Sequence, residues 1–167
     1  MPSPVGHALG GLAAGWVAGP RPARAWVPQA VLFSLVAICP DLDLLWGAHH
    51  RATHSLAAIA IAGALALGAG LWTGRTNLAV PVAAAYGSHI LLDLLGADST
   101  PPIGVTLFWP FSGEYVIAPV TPFPAISRRY WLPGFWEHNL GAVVFELIVL
   151  GPLAAAAWFM RRRGGRG

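Results

Sequence analysis

Three short stretches place ionisable side chains at the ends of apolar runs. Asp41 and Asp43 lie in Pro40-Asp41-Leu42-Asp43, and His50 and His54 in His50-Arg51-Ala52-Thr53-His54-Ser55. His89 and Asp93 lie in Ser88-His89-Ile90-Leu91-Leu92-Asp93. The chain has seven carboxylates and six histidines, and six of these fall in the three stretches. His and Asp are the donors that a hard or borderline divalent metal takes. His50/His54 and His89/Asp93 are each four residues apart, so a helix would hold each pair on one face, with Cβ atoms about 5–6 Å apart. Two such pairs on adjacent helix ends can surround one or two divalent ions. Asp41 and Asp43 are two apart and would point to different sides of a regular helix. Either Pro40 breaks the helix there, or one Asp is a ligand and the other supports the site from behind. His7 opens the first apolar run and can add a further nitrogen.

Mixed His/Asp coordination leaves room for a water and lowers its pKa, giving a hydroxide nucleophile. Two ions could clamp the attacking and leaving oxygens of a phosphoester. The expected metal ligands are therefore His7, Asp41, His50, His54, His89 and Asp93, and the expected cofactor is one or two divalent ions, zinc or alternatively manganese. Asp43 and Arg51 are the expected catalytic supports. Arg51 can stabilise an anionic substrate or transition state, or else pair with a lipid phosphate. Thr53 and Ser55 fit a helix cap; a Ser55 nucleophile is the weaker alternative. Glu114, Glu137, His138 and Glu146 form a second tier. Glu137 and His138 begin the last apolar run, and Glu146 lies about two turns deeper. Asp98 fits a turn with Ser99 and Thr100. No nucleophile elbow, Walker loop or HExxH motif is present.

The elements that must position these groups are apolar. Of 167 residues, 56% are hydrophobic and only 10% charged, against roughly 25% charged in a soluble domain. An ordinary soluble protein is excluded. The net charge of +3 rests on arginine, because the chain has no lysine. Arg161-Arg162-Arg163 and Arg166 at the end of the chain invite a nucleic-acid reading. Beside the apolar run 139–160 they fit better as a cytoplasmic anchor, and no nucleic-acid binding is expected. The single Cys39 excludes an intramolecular disulfide and a Cys-rich zinc site; its apolar neighbours predict a buried structural thiol. The start of the chain has no Lys or Arg before its first apolar run, unlike a secretory signal, and reads as part of the mature protein.

A spanning helix needs about 20 residues, at about 1.5 Å each across about 30 Å of hydrocarbon. Residues 26–46, 55–72, 78–96 and 139–160 meet that length. Residues 5–19 are short and glycine-rich, and either span, tilt or re-enter; their glycines allow close helix packing. A Pro- and aromatic-rich segment separates the fourth and fifth runs. Within it, 104–111 and 114–119 could pair as short strands around Ser112-Gly113, and Trp109, Trp131 and Trp136 suit a membrane interface. The predicted fold is an all-α integral membrane protein of about five transmembrane helices with a metal site at one membrane face. Residues 1–160 form one membrane-embedded domain and 161–167 a basic cytoplasmic tail.

Arginine placement supports this topology. With the tail inside, Arg21, Arg24 and Arg75 also fall inside, and only Arg51, Arg128 and Arg129 fall outside, as the positive-inside rule requires. The same arrangement sends His7, Asp41, Asp43, His50, His54, His89 and Asp93 to the outer face. The charge rule did not require them to converge.

The order Gly6-His7, Pro40-Asp41-Leu42-Asp43, His50-Arg51-Ala52-Thr53-His54-Ser55 and Ser88-His89-Ile90-Leu91-Leu92-Asp93-Leu94-Leu95 resembles a bacterial family of inner-membrane proteins described as metal-dependent hydrolases, whose best-known member is under LexA control. Gly104-Val105-Thr106-Leu107-Phe108-Trp109-Pro110-Phe111 resembles that family's Gly-Val-x-Leu-x-Trp-Pro segment. The resemblance covers roughly residues 5 to 115. It departs at Ala52, where the family often has Gly. It implies a multi-pass protein of the bacterial inner membrane with metal-dependent hydrolase activity. The ligand order is also distantly similar to that of zinc-dependent phospholipase C and a related nuclease, which implies phosphoester cleavage.

The function expected is metal-dependent hydrolysis of a phosphoester or lipid-linked substrate, with membrane lipid as the partner. The alternative is a non-enzymatic membrane protein: a metal or proton transporter, or a scaffold. A transporter places its ligands near the midplane and often shows repeats; these ligands lie towards one face and no repeat is seen. A phosphatase with a His nucleophile ranks last, since the families with that chemistry use a lysine. Substrate, ion number and oligomeric state are left open.

Overall fold

Long stretches of Ala, Leu, Val and Gly without internal carboxylates favour helix, and helix is what forms. A computed structural model describes residues 1–19, 26–46 and 51–163. Its five helices are α1 (Pro4–Ala18), α2 (Trp26–Ile38), α3 (Leu56–Thr73), α4 (Ala79–Leu94) and α5 (Phe135–Arg163). α1, α3 and α4 follow their apolar runs to within two residues, whereas α2 stops eight residues short of its run and α5 begins four residues early. Ser3 caps α1 by accepting from the Gly6 N–H, with Pro4 at the first helical position. Ser55 caps α3 by accepting from the Ala58 N–H, and its own hydroxyl donates to the Ala52 carbonyl. That hydroxyl is committed to the cap, as the first reading of Ser55 expected.

α2 does not run on to Trp46. It ends at Ile38, and Cys39–Trp46 winds as 3-10 helix. Pro40 has no N–H to give the helix and crowds the preceding turn. The tighter winding turns Cys39 outward, so it is exposed and not the buried thiol its neighbours predicted.

α1 is central, packing against α2, α4 and α5, while α3 lies against α4. Trp16, Phe33, Val82, Ala85 and Ala157 make the main core. Gly11 permits the close approach of α1 and α2: a Cβ there would meet the Phe33 carbonyl oxygen at 2.6 Å. Consecutive helices alternate in direction. The starts of α1, α3 and α5 therefore share one end of the bundle with the ends of α2 and α4. At the opposite end, an Arg161 guanidinium N–H donates to Gln29 Oε1 at 3.1 Å.

Three segments are long and apolar enough to cross a membrane: Val27–Leu45, Leu56–Thr73 and Phe135–Arg162. α1 and α4, with 15 and 16 residues, fall short of about 20. On α3, Leu65, Leu71 and Trp72 stand exposed, Trp72 to 91%. An apolar face of that extent belongs in lipid rather than water.

Between α4 and α5 the chain forms no strand among the described residues. The expected hairpin is reduced to one antiparallel bridge, in which Val105 and Val116 exchange both N–H···O bonds at 2.9 Å. Pro101, Pro102, Pro110 and Pro119 cannot donate and stop the ladder on both sides. The bridge brings the segment beside the start of α3, where the Leu56 N–H donates to the Leu107 carbonyl at 2.9 Å. Gly104 makes the turn possible. Its φ is +96°, and a Cβ there would collide with the Val116 carbonyl. Gly104→Ala should therefore cost about 1–3 kcal/mol of stability, measurable as a lower thermal midpoint in detergent; an unchanged midpoint would contradict this role.

Candidate metal centre

At the shared end of the bundle, four elements deliver one cluster. α1 supplies His7, the 3-10 segment after α2 supplies Asp41, and the 3-10 turn Ala52–His54 supplies His54. α4 supplies His89 and Asp93, and their four-residue spacing does what a helix dictates: His89 Nε2 lies 3.0 Å from Asp93 Oδ2. His54 Nε2 is 3.0 Å from His89 Nε2 and 3.3 Å from the same Asp93 oxygen. Asp41 Oδ1 lies 3.8 Å from His54 Nε2 and 3.7 Å from His89 Nε2. On the other side of the Asp93 carboxyl, Oδ1 is 3.3 Å from His7 Nε2. The His7 ring stacks on His89 with centroids 3.8 Å apart. His7, His54, His89 and Asp93 are buried; Asp41, 24% exposed, is the edge open to its surroundings.

The ring nitrogens are assigned by their partners. His89 Nδ1 is 2.7 Å from the Ala37 carbonyl oxygen. A carbonyl only accepts, so Nδ1 carries the hydrogen and Nε2 turns a lone pair to the cluster. Thr53 donates its hydroxyl to Asp43 Oδ2 at 2.6 Å. Its oxygen can then accept from His54 Nδ1 at 2.9 Å, while Asp43 Oδ2 stands 3.2 Å from that nitrogen. His54 Nε2 is thus aimed into the cluster as well. Tyr86 steadies this turn, its hydroxyl donating to the Thr53 carbonyl at 2.8 Å. Asp43 is placed behind His54, orienting its ring, and not among the donor atoms.

These residues fit a divalent ion. Ligand bonds of about 2.0–2.2 Å set neighbouring donors of a tetrahedral ion roughly 3.3 Å apart, and the donor pairs given above span 3.0–3.8 Å. His7 Nδ1 is buried without a hydrogen-bond partner, and the buried Asp93 oxygens meet only histidine nitrogens. A buried carboxylate so placed is costly unless it faces a cation, either a protonated imidazole or a metal ion. The field of the site favours positive charge. Burial would lower the His54 pKa, yet Asp41, Asp43 and Asp93 raise it to about 10.

Other expected residues fall elsewhere. His50 lies outside the described residues. The expected pairing of His50 with His54 therefore also lies outside them; Arg51, at φ −99° and ψ −121°, precedes the 3-10 turn that carries His54. Arg51 is exposed beside the His54 turn. His138 Nε2 donates to the Ala125 carbonyl at 2.7 Å and takes no part in the cluster. Glu114 and Glu137 are exposed. Asp98 makes the expected turn, accepting from the Thr100 and Gly104 N–H groups at 3.0 Å each.

Glu146 is fully buried and joins α5 to the cap of α1. It accepts from the Ser3 N–H at 2.7 Å and from the Ser3 hydroxyl. The His7 N–H donates to the Ser3 carbonyl at 3.0 Å, so Glu146 sets where α1 begins and hence where His7 sits.

Apolar helices facing outward and a His/Asp cluster held at one end of the bundle define a helical membrane protein. The chain belongs to the YdjM inner membrane protein family, whose model matches residues 1–164. That match runs through the C-terminal third, beyond the quoted motifs. The family description names a membrane location and no reaction. No curated protein and no solved structure matches the chain.

Proposed function

We propose that the protein is a membrane-bound, metal-dependent hydrolase acting on a phosphoester or lipid-linked substrate. The convergence of His54, His89 and Asp93 donor atoms at ligand-to-ligand distances carries this reading, with His7, Asp41 and His89 forming a second such group around the shared His89. His54, His89 and Asp93 would hold one divalent ion, zinc or manganese, with Asp41 and His7 at its edge. When bound, the ion supplies Lewis-acid polarisation and a water of lowered pKa. Asp43 and Thr53 hold the His54 ring, and the Ala37 carbonyl holds His89. Asp41 marks the side from which water and substrate arrive, and Arg51, exposed next to His54, is placed to receive an anionic group. We read all five helices as crossing the inner membrane, with the cluster at the outer face and the arginine tail inside, because that arrangement puts most arginines in the cytoplasm.

Mass spectrometry of detergent-purified protein should find about one equivalent of zinc or manganese, as a preformed donor set implies, and His89→Ala should lose it. A chromogenic phosphodiester should be hydrolysed by the loaded protein, stop with chelator and resume with metal. Wild-type protein that takes up no metal on reconstitution would overturn the reading in favour of a scaffold. Metal uptake without hydrolysis of any phosphoester would refute the enzyme and leave a metal-binding membrane protein.

A further inference from the structure

A second polar feature lies at the same end of the bundle, outside the His/Asp cluster. A cavity of about 440 Å³ opens between the chain just after α4 and the chain just before α5; its lining includes Asp98, Thr100, Pro101, Ser127, Arg128 and Arg129. Asp93 is only five residues before Asp98, so the two polar sites are neighbours along the chain.

The arginine side of this cavity is built on fixed backbone. Asn139 of α5 grips Ser127 at two points: the Ser127 N–H donates to Asn139 Oδ1 at 2.8 Å, and Asn139 Nδ2 donates to the Ser127 carbonyl at 3.0 Å. The Ser127 hydroxyl then accepts from the Arg129 N–H at 3.3 Å. On the facing wall, the Asp98 carboxylate is engaged by the Thr100 and Gly104 N–H groups, which lessens its opposition to an anion. Two guanidiniums against one engaged carboxylate leave the lining with a positive excess. Guanidinium forks match the oxygens of a phosphate.

The surroundings indicate where that phosphate comes from. Tyr130 and Trp131 follow directly in the sequence, Trp136 comes five residues later, and all three are strongly exposed. Exposed Tyr and Trp of a membrane protein are enriched in the headgroup zone. We propose that this cavity binds the phosphate of an anionic lipid headgroup, through Arg128 and Arg129. The binding stands on its own geometry. Its use as the seat of the substrate beside the metal centre rests on the hydrolase reading.

The test is a titration of the full chain in neutral detergent with dihexanoyl phosphatidic acid, read by tryptophan fluorescence, with dihexanoylglycerol as the phosphate-free control. Inorganic phosphate is the competitor. Phosphatidic acid should bind at least tenfold more tightly than the control. The double variant Arg128→Gln/Arg129→Gln should lose at least tenfold, and Arg128→Lys/Arg129→Lys, which keeps the charge but not the fork, should recover only part of it. Competition by inorganic phosphate would show that the phosphate group itself is recognised; its absence would make the lipid headgroup the ligand. Equal binding of the control, or a glutamine variant that folds with the wild-type midpoint and binds as well as wild type, overturns the proposal. Metal content read on the same samples keeps the two proposals separate, since the arginine variants should retain their metal and a metal-free protein should still bind the lipid.

Discussion

Asp93→Asn should strip the protein of metal, leaving less than about a tenth of the wild-type content. The substitution keeps the shape of the side chain, so no cavity accompanies it. What changes is charge and hydrogen-bond sense. The Asp93 carboxyl stands within 3.3 Å of three histidine nitrogens, on His7, His54 and His89. An amide would offer one of them a donor instead of an acceptor and would give a cation no charge to bind. The metal-free protein should also weaken, by about 3–5 kcal/mol, as buried pairs do when one partner is removed. Asp41→Asn is the internal comparison. Asp41 is partly exposed and more distant from its histidines, so solvent can replace part of its role and its loss should be milder on both measures. Metal content by mass spectrometry and thermal unfolding with and without chelator would decide. Retention of wild-type metal by the Asp93 variant would falsify the donor assignment.

Glu146→Leu should destabilise the fold by about 2–4 kcal/mol and displace His7 without touching the cluster directly. Leucine leaves the Ser3 N–H and hydroxyl buried without their acceptor, and each unsatisfied group costs about 1–3 kcal/mol. Ser3→Ala should cost less, about 1 kcal/mol, as for a lost cap. Both changes touch the Ser3–Glu146 contact, but Ser3→Ala also removes the Gly6 cap, so the double variant should lose less than the sum of the two. Fully additive losses would show that Glu146 stabilises the bundle by some route other than Ser3. A fall in metal affinity in Glu146→Leu, read on protein that remains folded, would trace the path from α5 through Ser3 to His7.

Helix limits were the most legible part of the molecule. They depend on local apolar composition and on caps such as Ser55, which announce themselves within a few residues. His89 and Asp93 were legible for the same reason, since both sit on one unbroken helix. His54 was expected beside the others because of its spacing from His50, which lies outside the described residues. It arrives on a 3-10 turn positioned by Tyr86 and Leu107, contacts that no local spacing encodes. Asp43 shows the same limit. Its place behind His54 follows from Pro40 ending α2 and from Thr53 ten residues further on. Glu146 was visible as a lone carboxyl in an apolar run, but its partner lies 143 residues away. The outward turn of Cys39 was hidden as well, because one change of helical pitch decides which side a residue faces.

The bond from His89 to the Ala37 carbonyl has a wider meaning. Ala37 is next to the last residue of α2, where helical carbonyls lack an N–H partner within the helix. The peptide dipoles of α2 add up towards that end and make it electron-rich. Through the Nδ1 hydrogen this polarisation reaches the imidazole and strengthens electron donation from Nε2. The whole of α2 therefore acts as an electronic substituent on one ring, and it does so through main-chain atoms. Side-chain evolution along α2 can alter its packing freely while this influence persists for as long as the segment stays helical and in register.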